Sequence, residues 1–361
     1  MAATNNPLEG TTSSPSISQR TITIAGIHVV IHGLSELPPS CTSVTCLWLL
    51  NPRLQTKETM APVAASIISG WNSTQPKSHG LIAAAFDQRN HGSRLVDKLH
   101  NEAWRQGNET HAQDMFGCYH GTAVDCSQLI DHLGSYIFTS NTSSSSSSSS
   151  SSDKPTPTIT SHFALGISLG GHAVWHTLLS DPRITAGIVG IGCPDYTRLL
   201  TDRARLSKRS SYTSSTPPGA AFLGSTDFPL ALMQAVEKFD PAGLLLPGSF
   251  NPVGSDPSPS PETLERFRAL VRERLQGKQI LNLSGREDKL VPYAAGKPFL
   301  DVFKRVLDED QALDVGFEDV LFDGVGHAFP PAMVEKATAW ICDLLAKEER
   351  GGQGERRGSK I

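Results

Sequence analysis

The stretch Leu165-Gly166-Ile167-Ser168-Leu169-Gly170-Gly171-His172 decides how the rest of the chain is organised. It joins the end of an apolar run, 158–166, to the start of a helical pattern, 169–180. A serine at the tip of a sharp strand-to-helix turn points its Oγ away from the sheet, and only small residues fit at positions 166 and 170. The two glycines therefore indicate that Ser168 is a nucleophile. A tight turn with a structural serine is the alternative until partners are found.

The composition excludes several classes of protein. The chain has 361 residues, with 32 Lys and Arg against 36 Asp and Glu, and no block of basic residues interleaved with aromatic ones. We therefore expect no nucleic-acid partner. No apolar run approaches the roughly 18 residues that cross a bilayer, so we expect no membrane span. The oligomeric state does not follow from the sequence.

The two ends of the chain bear on its location. Residues 1–18 are rich in Asn, Ser, Thr and Pro and lack the apolar core of a secretory signal, so the cytoplasm is the expected compartment. The chain ends in Ser359-Lys360-Ile361, which differs from the Ser-Lys-Leu peroxisomal address in its last residue, and the peroxisome is the alternative. The six cysteines have neither zinc-site spacing nor disulfide density, so we predict free thiols.

Strand and helix patterns alternate along most of the chain. Two β-branched runs predict an antiparallel hairpin that turns at Gly26, and apolar runs predict six further strands, the eight runs being 20–25, 27–32, 44–50, 81–86, 158–166, 184–191, 279–283 and 315–322. Helical patterns lie between them, at 64–71, about 121–137, 169–180, 293–306 and 331–347. This order predicts an α/β fold with a mostly parallel sheet wound by right-handed crossovers.

Several segments fall outside this alternation. The serine run within 141–157 cannot bury apolar surface and predicts a disordered loop. Residues 194–276 change to Arg-, Ser- and Pro-rich loops around two helices, at 229–239 and 261–275, and predict an insertion outside the sheet. The ends, 1–18 and 348–361, predict a disordered N-terminus and a flexible tail. The predicted core is therefore 19–193 together with 277–347.

Two loops downstream carry partners for Ser168. A serine hydroxyl needs an imidazole to take its proton and a carboxylate to orient that imidazole. His327 is the only histidine after the insertion, in a glycine-rich loop between a predicted strand and the last helix. Asp288 lies in the loop after the preceding strand. The order Ser168, Asp288, His327 is the Ser…Asp…His order of α/β hydrolases.

With these residues in this order, the chain resembles the α/β-hydrolase fold superfamily, on its esterase, lipase and serine-hydrolase side. The resemblance covers about 20–193 and 279–345. It implies a mostly parallel sheet of about eight strands flanked by helices, with 194–276 as a cap between the sixth and seventh strands. It also implies hydrolysis through an acyl-enzyme, which needs no metal or organic cofactor.

Other acids compete with Asp288. Glu287 is its neighbour, but the Gly-x-x-Asp-x-x-Val-Pro pattern resembles the family's acid loop with the aspartate at 288. Asp195 is the alternative, since some hydrolases of this fold place the acid after the sixth strand. Asp323 is close to His327 on the same loop, where an aspartate is typical of a turn.

Other histidines precede the insertion. His172 lies one turn from Ser168 in the next helix, and we expect it to pack or to line the pocket rim. Asp87 and His91 resemble an Asp-x-Arg-x-His-Gly turn that many members carry after the fourth strand. We expect this pair to hold that turn through hydrogen bonds.

The oxyanion hole is the part that departs from the family pattern. One donor is expected to be the backbone N–H of Leu169, directly after the nucleophile. The second is expected in the loop after the third strand, where Pro52 has no N–H, so Arg53 is predicted as the donor, with Leu54 as the alternative. A His-Gly pair occurs at 32–33, but it ends the hairpin and is set aside.

These residues predict a serine hydrolase for a carboxylic ester or related acyl compound of small-molecule size. Apolar residues of the insertion, Phe228 and Leu232 among them, are predicted to line the acyl pocket. A thioesterase, a peptidase or amidase, or a carbon–carbon hydrolase would use the same triad. Outside the enzymes, the alternative is a ligand-binding receptor or scaffold with a slow or vestigial hydrolase site.

Overall fold

The computed structural model describes residues 6–10, 16–73, 78–138, 156–248, 250–251 and 258–358, with side chains as far as residue 350. The strands are β1 (Gln19–Ile24), β2 (Ile27–His32), β3 (Ser43–Leu50), β4 (His79–Phe86), β5 (Thr158–Ile167), β6 (Ile184–Gly190), β7 (Gln279–Gly285) and β8 (Gly316–Phe322). The helices are α1 (Ala61–Asn72), α2 (His111–Ile137), α3 (Leu169–Ser180), α4 (Tyr196–Leu206), α5 (Ser210–Thr213), α6 (Leu230–Phe239), α7 (Pro241–Leu245), α8 (Pro261–Leu275), α9 (Tyr293–Glu309) and α10 (Pro331–Gly358).

One sheet contains all eight of these strands, in the order β1-β2-β4-β3-β5-β6-β7-β8. β2 pairs antiparallel with β1 and with β4, and every other neighbouring pair is parallel. The hairpin turns at Ala25 and Gly26, both with positive φ. The predicted α/β fold class, with a mostly parallel sheet of about eight strands flanked by helices, is therefore confirmed.

Alternate residues of the central strands feed two separate cores. In β3, Trp48 and Leu50 pack in the cluster that contains residues of α2, α3 and α9. Leu47 and Leu49 pack in the cluster that contains residues of α1 and α10. Because successive side chains of a strand point to opposite faces, a continuous apolar run such as β3 is typical of a strand covered by helices on both faces.

The helices differ in extent from the sequence prediction. α2 begins at His111, well before the predicted start at about residue 121. α4, α5 and α7 were not predicted within 194–276. α10 continues to Gly358 where a flexible tail was predicted from 348. Residues 347–350 are Lys, Glu, Glu and Arg, which favour helix, but helix propensity does not account for the glycine-rich residues after them.

The N-terminal segment was predicted to be disordered as far as residue 18, and the structure corrects this for residues 6–10. Leu8 is buried in the cluster that contains residues of α1 and α10. The backbone N–H of Phe329 donates to the carbonyl of Pro7 at 2.7 Å. Leu8 is an isolated apolar residue in a polar stretch, so no local pattern indicated that it is buried.

Further predictions concern the serine-rich loop, the C-terminal tripeptide, membrane spans and the cysteines. Most of the serine-rich loop 141–157 and the C-terminal tripeptide 359–361 lie outside the described residues. None of the described helices combines the length and hydropathy needed to cross a bilayer. The six cysteines are free thiols, and all except Cys342 are buried.

Candidate active site

Ser168 sits on a strained turn between β5 and α3. Its φ is 56° and its ψ is −112°, a conformation that is costly for a residue with a side chain. A Cβ at Gly166 would lie 2.1 Å from the carbonyl oxygen of Gly170, and a Cβ at Gly170 would lie 2.0 Å from that of Leu50. The turn therefore requires glycine at both positions, as the sequence pattern indicated.

Ser168, His327 and Asp288 form one hydrogen-bonded chain. Ser168 Oγ lies 2.9 Å from His327 Nε2, and His327 Nδ1 lies 2.8 Å from Asp288 Oδ2. The other carboxylate oxygen of Asp288 accepts the backbone N–H groups of Leu290, at 2.8 Å, and Val291, at 2.9 Å. Since Nδ1–H donates to the carboxylate, Nε2 is left to accept the serine proton.

The sheet explains why residues so far apart in sequence meet. β5, β6, β7 and β8 are consecutive parallel neighbours, so the loops that follow them leave the same edge. The loops after β7 and β8 also bind each other, because Glu287 N–H donates to the carbonyl of Val325 at 3.0 Å. A Cβ at Gly285 would lie 2.4 Å from that same carbonyl oxygen, so glycine permits this close approach.

The backbone N–H groups predicted for an oxyanion hole are those of Leu169, Arg53 and, as the alternative, Leu54. The N–H groups of Leu169, Arg53 and Leu54 donate to no acceptor among the described residues. Leu169 is the first residue of α3, where the helix itself supplies no acceptor. Arg53 lines the cavity at Ser168 and Leu54 does not, which favours Arg53 of the two residues proposed for the second donor.

The loop that carries Arg53 is held by a buried polar network that sequence reasoning missed. Asn51 is fully buried, and its Nδ2 donates to the carbonyls of Pro52, at 3.1 Å, and Gln55, at 2.9 Å. Gln88, two residues after β4, donates its backbone N–H to Asn51 Oδ1 at 3.4 Å and its side-chain amide to the Asn51 carbonyl. The signal was available, since an Asn and a Gln each follow a buried parallel strand.

None of the other candidate acids, Asp195, Asp323 and Glu287, is hydrogen-bonded to His327 in the described structure. Asp195 accepts the N–H of Arg198 at the start of α4 and forms an ion pair with the Arg198 guanidinium at 2.9 Å. Asp323 forms an ion pair with Arg286 on the surface. Glu287 is exposed. Of these acids and Asp288, only Asp288 contacts His327 in the described structure.

The other candidate histidines and their turn have structural partners. His172 Nδ1 lies 2.8 Å from the carbonyl oxygen of Ser168, and burial lowers the pKa of His172 to about 4, so this imidazole is neutral. Asp87 accepts from Lys57 Nζ at 2.9 Å and from the N–H of Ser93 at 2.9 Å. His91 Nδ1 lies 2.9 Å from the carbonyl oxygen of residue 89. Asp87 and His91 therefore hold the turn after β4, as expected.

The cavity at Ser168 is small. Its volume is about 20 Å³, roughly one water molecule, and its lining is Pro7, Pro52, Arg53, Ser168, Arg203, Leu290 and His327. Phe228 and Leu232, predicted to line the acyl pocket, do not line it. Phe228 is buried in the core cluster, with its ring centroid 5.4 Å from that of Phe222. An aromatic residue of an insertion can pack the insertion on the core as readily as it can bind a substrate.

A larger cavity of about 300 Å³ lies within the insertion and against α9. Leu223 and Met233, which belong to the same apolar set as Phe228 and Leu232, are among its lining residues. Its lining contains none of the three residues of the hydrogen-bonded chain. Among the described residues, no group of three His, Cys, Asp or Glu side chains is arranged to hold a metal ion.

Comparisons with known proteins find structural similarity at low sequence identity only. No family model matches the chain, and no curated protein matches it. Among solved structures, it is similar to TT1662 from Thermus thermophilus, with 15% identity and a TM-score of 0.47 over 90% of this chain and 97% of that one. A cold-adapted esterase from an Arctic intertidal metagenomic library has 13% identity and a TM-score of 0.47, over 92% and 96%.

An acylaminoacyl peptidase from Pyrococcus horikoshii has 14% identity and a TM-score of 0.45, over 92% of this chain and 41% of that one. At identities and TM-scores this low, none of these similarities carries an argument about reaction or substrate. The topology of the chain itself is more specific. Its strand order, with the strained serine after β5 and the loops after β7 and β8 converging on it, is that of the α/β-hydrolase fold.

Proposed function

We propose that this protein is a serine hydrolase that cleaves a carboxylic ester or a related acyl compound of small-molecule size. The observation that carries the proposal is the chain of hydrogen bonds from Ser168 Oγ through His327 to Asp288, at 2.9 and 2.8 Å. A serine on a strained turn with a correctly oriented imidazole is the arrangement that nucleophilic acyl transfer needs.

The reaction proceeds through an acyl-enzyme. Ser168 Oγ attacks the substrate carbonyl while its proton passes to His327 Nε2, and the carbonyl oxygen becomes an oxyanion that accepts from the N–H groups of Leu169 and Arg53. The C–O bond to the leaving group then breaks, and the leaving oxygen takes the proton from His327. A water molecule attacks the acyl-enzyme in the same way and releases the acid and free Ser168. Protein groups and water supply every proton and electron pair, so the reaction needs no metal or organic cofactor.

Substrate access requires a lining residue of the cavity to move. A space of about 20 Å³ does not admit an acyl group, whereas substrate pockets are usually several hundred Å³. The insertion contributes Arg203 to this cavity, which supports a cap role for 194–276.

Labelling with a fluorophosphonate probe tests the proposal. We expect the wild-type protein and Ser180→Ala to be labelled alike, because Ser180 is an exposed serine on α3 whose hydroxyl donates to the His176 carbonyl. Ser168→Ala is expected to remain unlabelled, and His327→Ala to react at least about 100-fold more slowly without its general base. Wild-type labelling of Ser168→Ala would overturn the proposal.

The bond that is cleaved is tested separately. Hydrolysis rates for p-nitrophenyl esters of increasing chain length, with an anilide and a thioester of the same acyl group, distinguish an esterase from an amidase and a thioesterase. We expect the esters to be cleaved fastest. A single slow turnover followed by persistent binding would instead support a receptor.

A further inference from the structure

Two arginines from distant parts of the chain share the cavity at Ser168. Arg53 follows β3, and Arg203 lies on α4 in the insertion. Both residues line the cavity together with Ser168 and His327, and both are partly exposed. Two cations therefore stand beside the proposed reaction centre.

The hydrogen-bond partners of both guanidinium groups are uncharged. Arg53 Nη1 donates to the carbonyl of Asn101 at 3.0 Å, and Arg203 Nη2 donates to that of Leu290 at 3.1 Å. Arg203 Nη1 lies 3.3 Å from His111 Nε2. Among the described residues, no carboxylate oxygen lies within 4.0 Å of either guanidinium.

His111 is an acceptor for Arg203 and not a counter-ion. Its Nδ1 lies 2.9 Å from the carbonyl oxygen of Glu102, so Nδ1 carries the proton and Nε2 is free to accept. Burial, followed by the charges of Arg203 and Arg53, lowers the pKa of His111 well below its usual range. A neutral His111 leaves the charge of Arg203 uncompensated.

The carboxylates that act on Arg203 from further away have partners of their own. Asp288 is bound to His327 and to two backbone N–H groups, and Asp202 binds Arg205 at 2.9 Å. Burial, and then the charge of Arg203, lowers the pKa of Arg53 to about 10 even though Glu102 opposes the shift. A shift in this direction is what two cations produce when they share a poorly hydrated site.

We propose that Arg53 and Arg203 bind a carboxylate on the substrate, so that the preferred substrate is an anionic ester. A partly buried cation without a counter-ion is unfavourable, and a substrate carboxylate would offset that cost on binding. The guanidinium group also presents several N–H donors in a plane that matches a carboxylate. The inference rests on the proposed function, because it places this anion beside the carbonyl that Ser168 attacks.

Matched ester pairs test the inference. The first pair is the p-nitrophenyl monoester of adipic acid and its methyl ester, which place the charge on the acyl side. The second is p-acetoxybenzoate and its methyl ester, which place it on the leaving group. We expect wild-type kcat/KM to favour the anion by about 10-fold or more in at least one pair, as charge-assisted hydrogen bonds commonly contribute.

Three variants show whether Arg203 causes that preference. Arg203→Met is expected to reduce the ratio of kcat/KM values, anionic over neutral, by about 10- to 100-fold, and Arg203→Lys to restore part of it because the charge returns. Lys208→Met removes an exposed charge just after the same helix, outside the cavity, and is expected to leave the ratio at its wild-type value. A purely structural Arg203 would slow both esters equally, and an unchanged ratio in Arg203→Met would overturn the inference.

The failure of this inference is distinct from the failure of the proposed function. If Ser168→Ala abolishes hydrolysis of all four esters while the wild type shows no preference for an anion, the proposed hydrolase function is supported and the proposed anion site is overturned. If Ser168→Ala hydrolyses them at the wild-type rate, the proposed function fails first.

Discussion

Replacing Gly170 with alanine should push the turn that carries Ser168 away from the loop that follows β3. The added Cβ would lie 2.0 Å from the carbonyl oxygen of Leu50 and 3.0 Å from that of Asn51. Ordinary contacts between carbon and oxygen are about 3.3 Å or longer, so the two backbones must separate by more than about 1 Å. Neither can yield easily, because β3 is paired on both sides and α3 packs along it.

The expected cost follows from these contacts. Overpacking of this kind destabilises proteins by about 1–3 kcal/mol, and the clash here is with backbone, so we expect a value at or above the upper end. The same displacement moves the Arg53 N–H away from Ser168. A misplacement of about 1 Å commonly lowers a catalytic rate by about 100-fold, so fluorophosphonate labelling of the folded variant should slow by about 10- to 100-fold.

Urea unfolding and the labelling rate measure the two effects, with Gly117→Ala as the control. Gly117 lies in α2 and is exposed, and a Cβ added there would meet nothing within 4 Å. Alanine at this position should stabilise the protein by up to about 1 kcal/mol through helix propensity and leave labelling unchanged. Wild-type stability and labelling in Gly170→Ala would contradict both expectations.

Two further predictions concern buried polar groups. Asn51→Leu leaves the Gln55 carbonyl without its donor and removes one of the two donors to the Pro52 carbonyl. We expect a loss of about 2–3 kcal/mol in unfolding free energy and a turnover rate lower by about 10- to 100-fold, with a smaller change in KM. A change confined to KM would contradict a positioning role. Burial lowers the pKa of His32 to about 4. As the pH falls below about 6.5, the unfolded chain therefore takes up a proton at His32 that the native state does not. The free energy of unfolding then falls by up to about 1.4 kcal/mol per pH unit. His32→Phe should remove this dependence, so its stability relative to wild type should rise as the pH is lowered from about 6.5 to about 4 in urea titrations, and parallel pH profiles would contradict the assignment.

Much of the architecture follows from local patterns. The β-branched hairpin, the continuous apolar strands and the helices between them each depend on neighbours a few positions away, and these elements are confirmed. The turn that carries Ser168 is also indicated by local sequence, because that single turn requires glycine at both 166 and 170. Ser168, Asp288 and His327 were predicted from their loops, since parallel strands bring their carboxyl ends to one edge whatever lies between them.

Local patterns indicated the helices of the insertion less well. α4 combines buried Leu199 and Leu200 with three arginines and an aspartate, a composition that is also typical of a polar loop. Phe228 and Leu232 were predicted to face the substrate because they are apolar, but the chain also needs apolar residues to fix the insertion to the core. Hydrophobicity alone does not distinguish these two uses.

The fold class and the three residues of the hydrogen-bonded chain follow from the sequence alone. Their surroundings depend on tertiary contacts: Pro7 lines the cavity, Asn51 holds the loop of Arg53, and Arg203 reaches the site from α4. Each of these depends on contacts between segments far apart in sequence. Such contacts are set by how whole layers pack, and neither periodicity nor motif spacing encodes the distance between two elements that meet only in the folded chain.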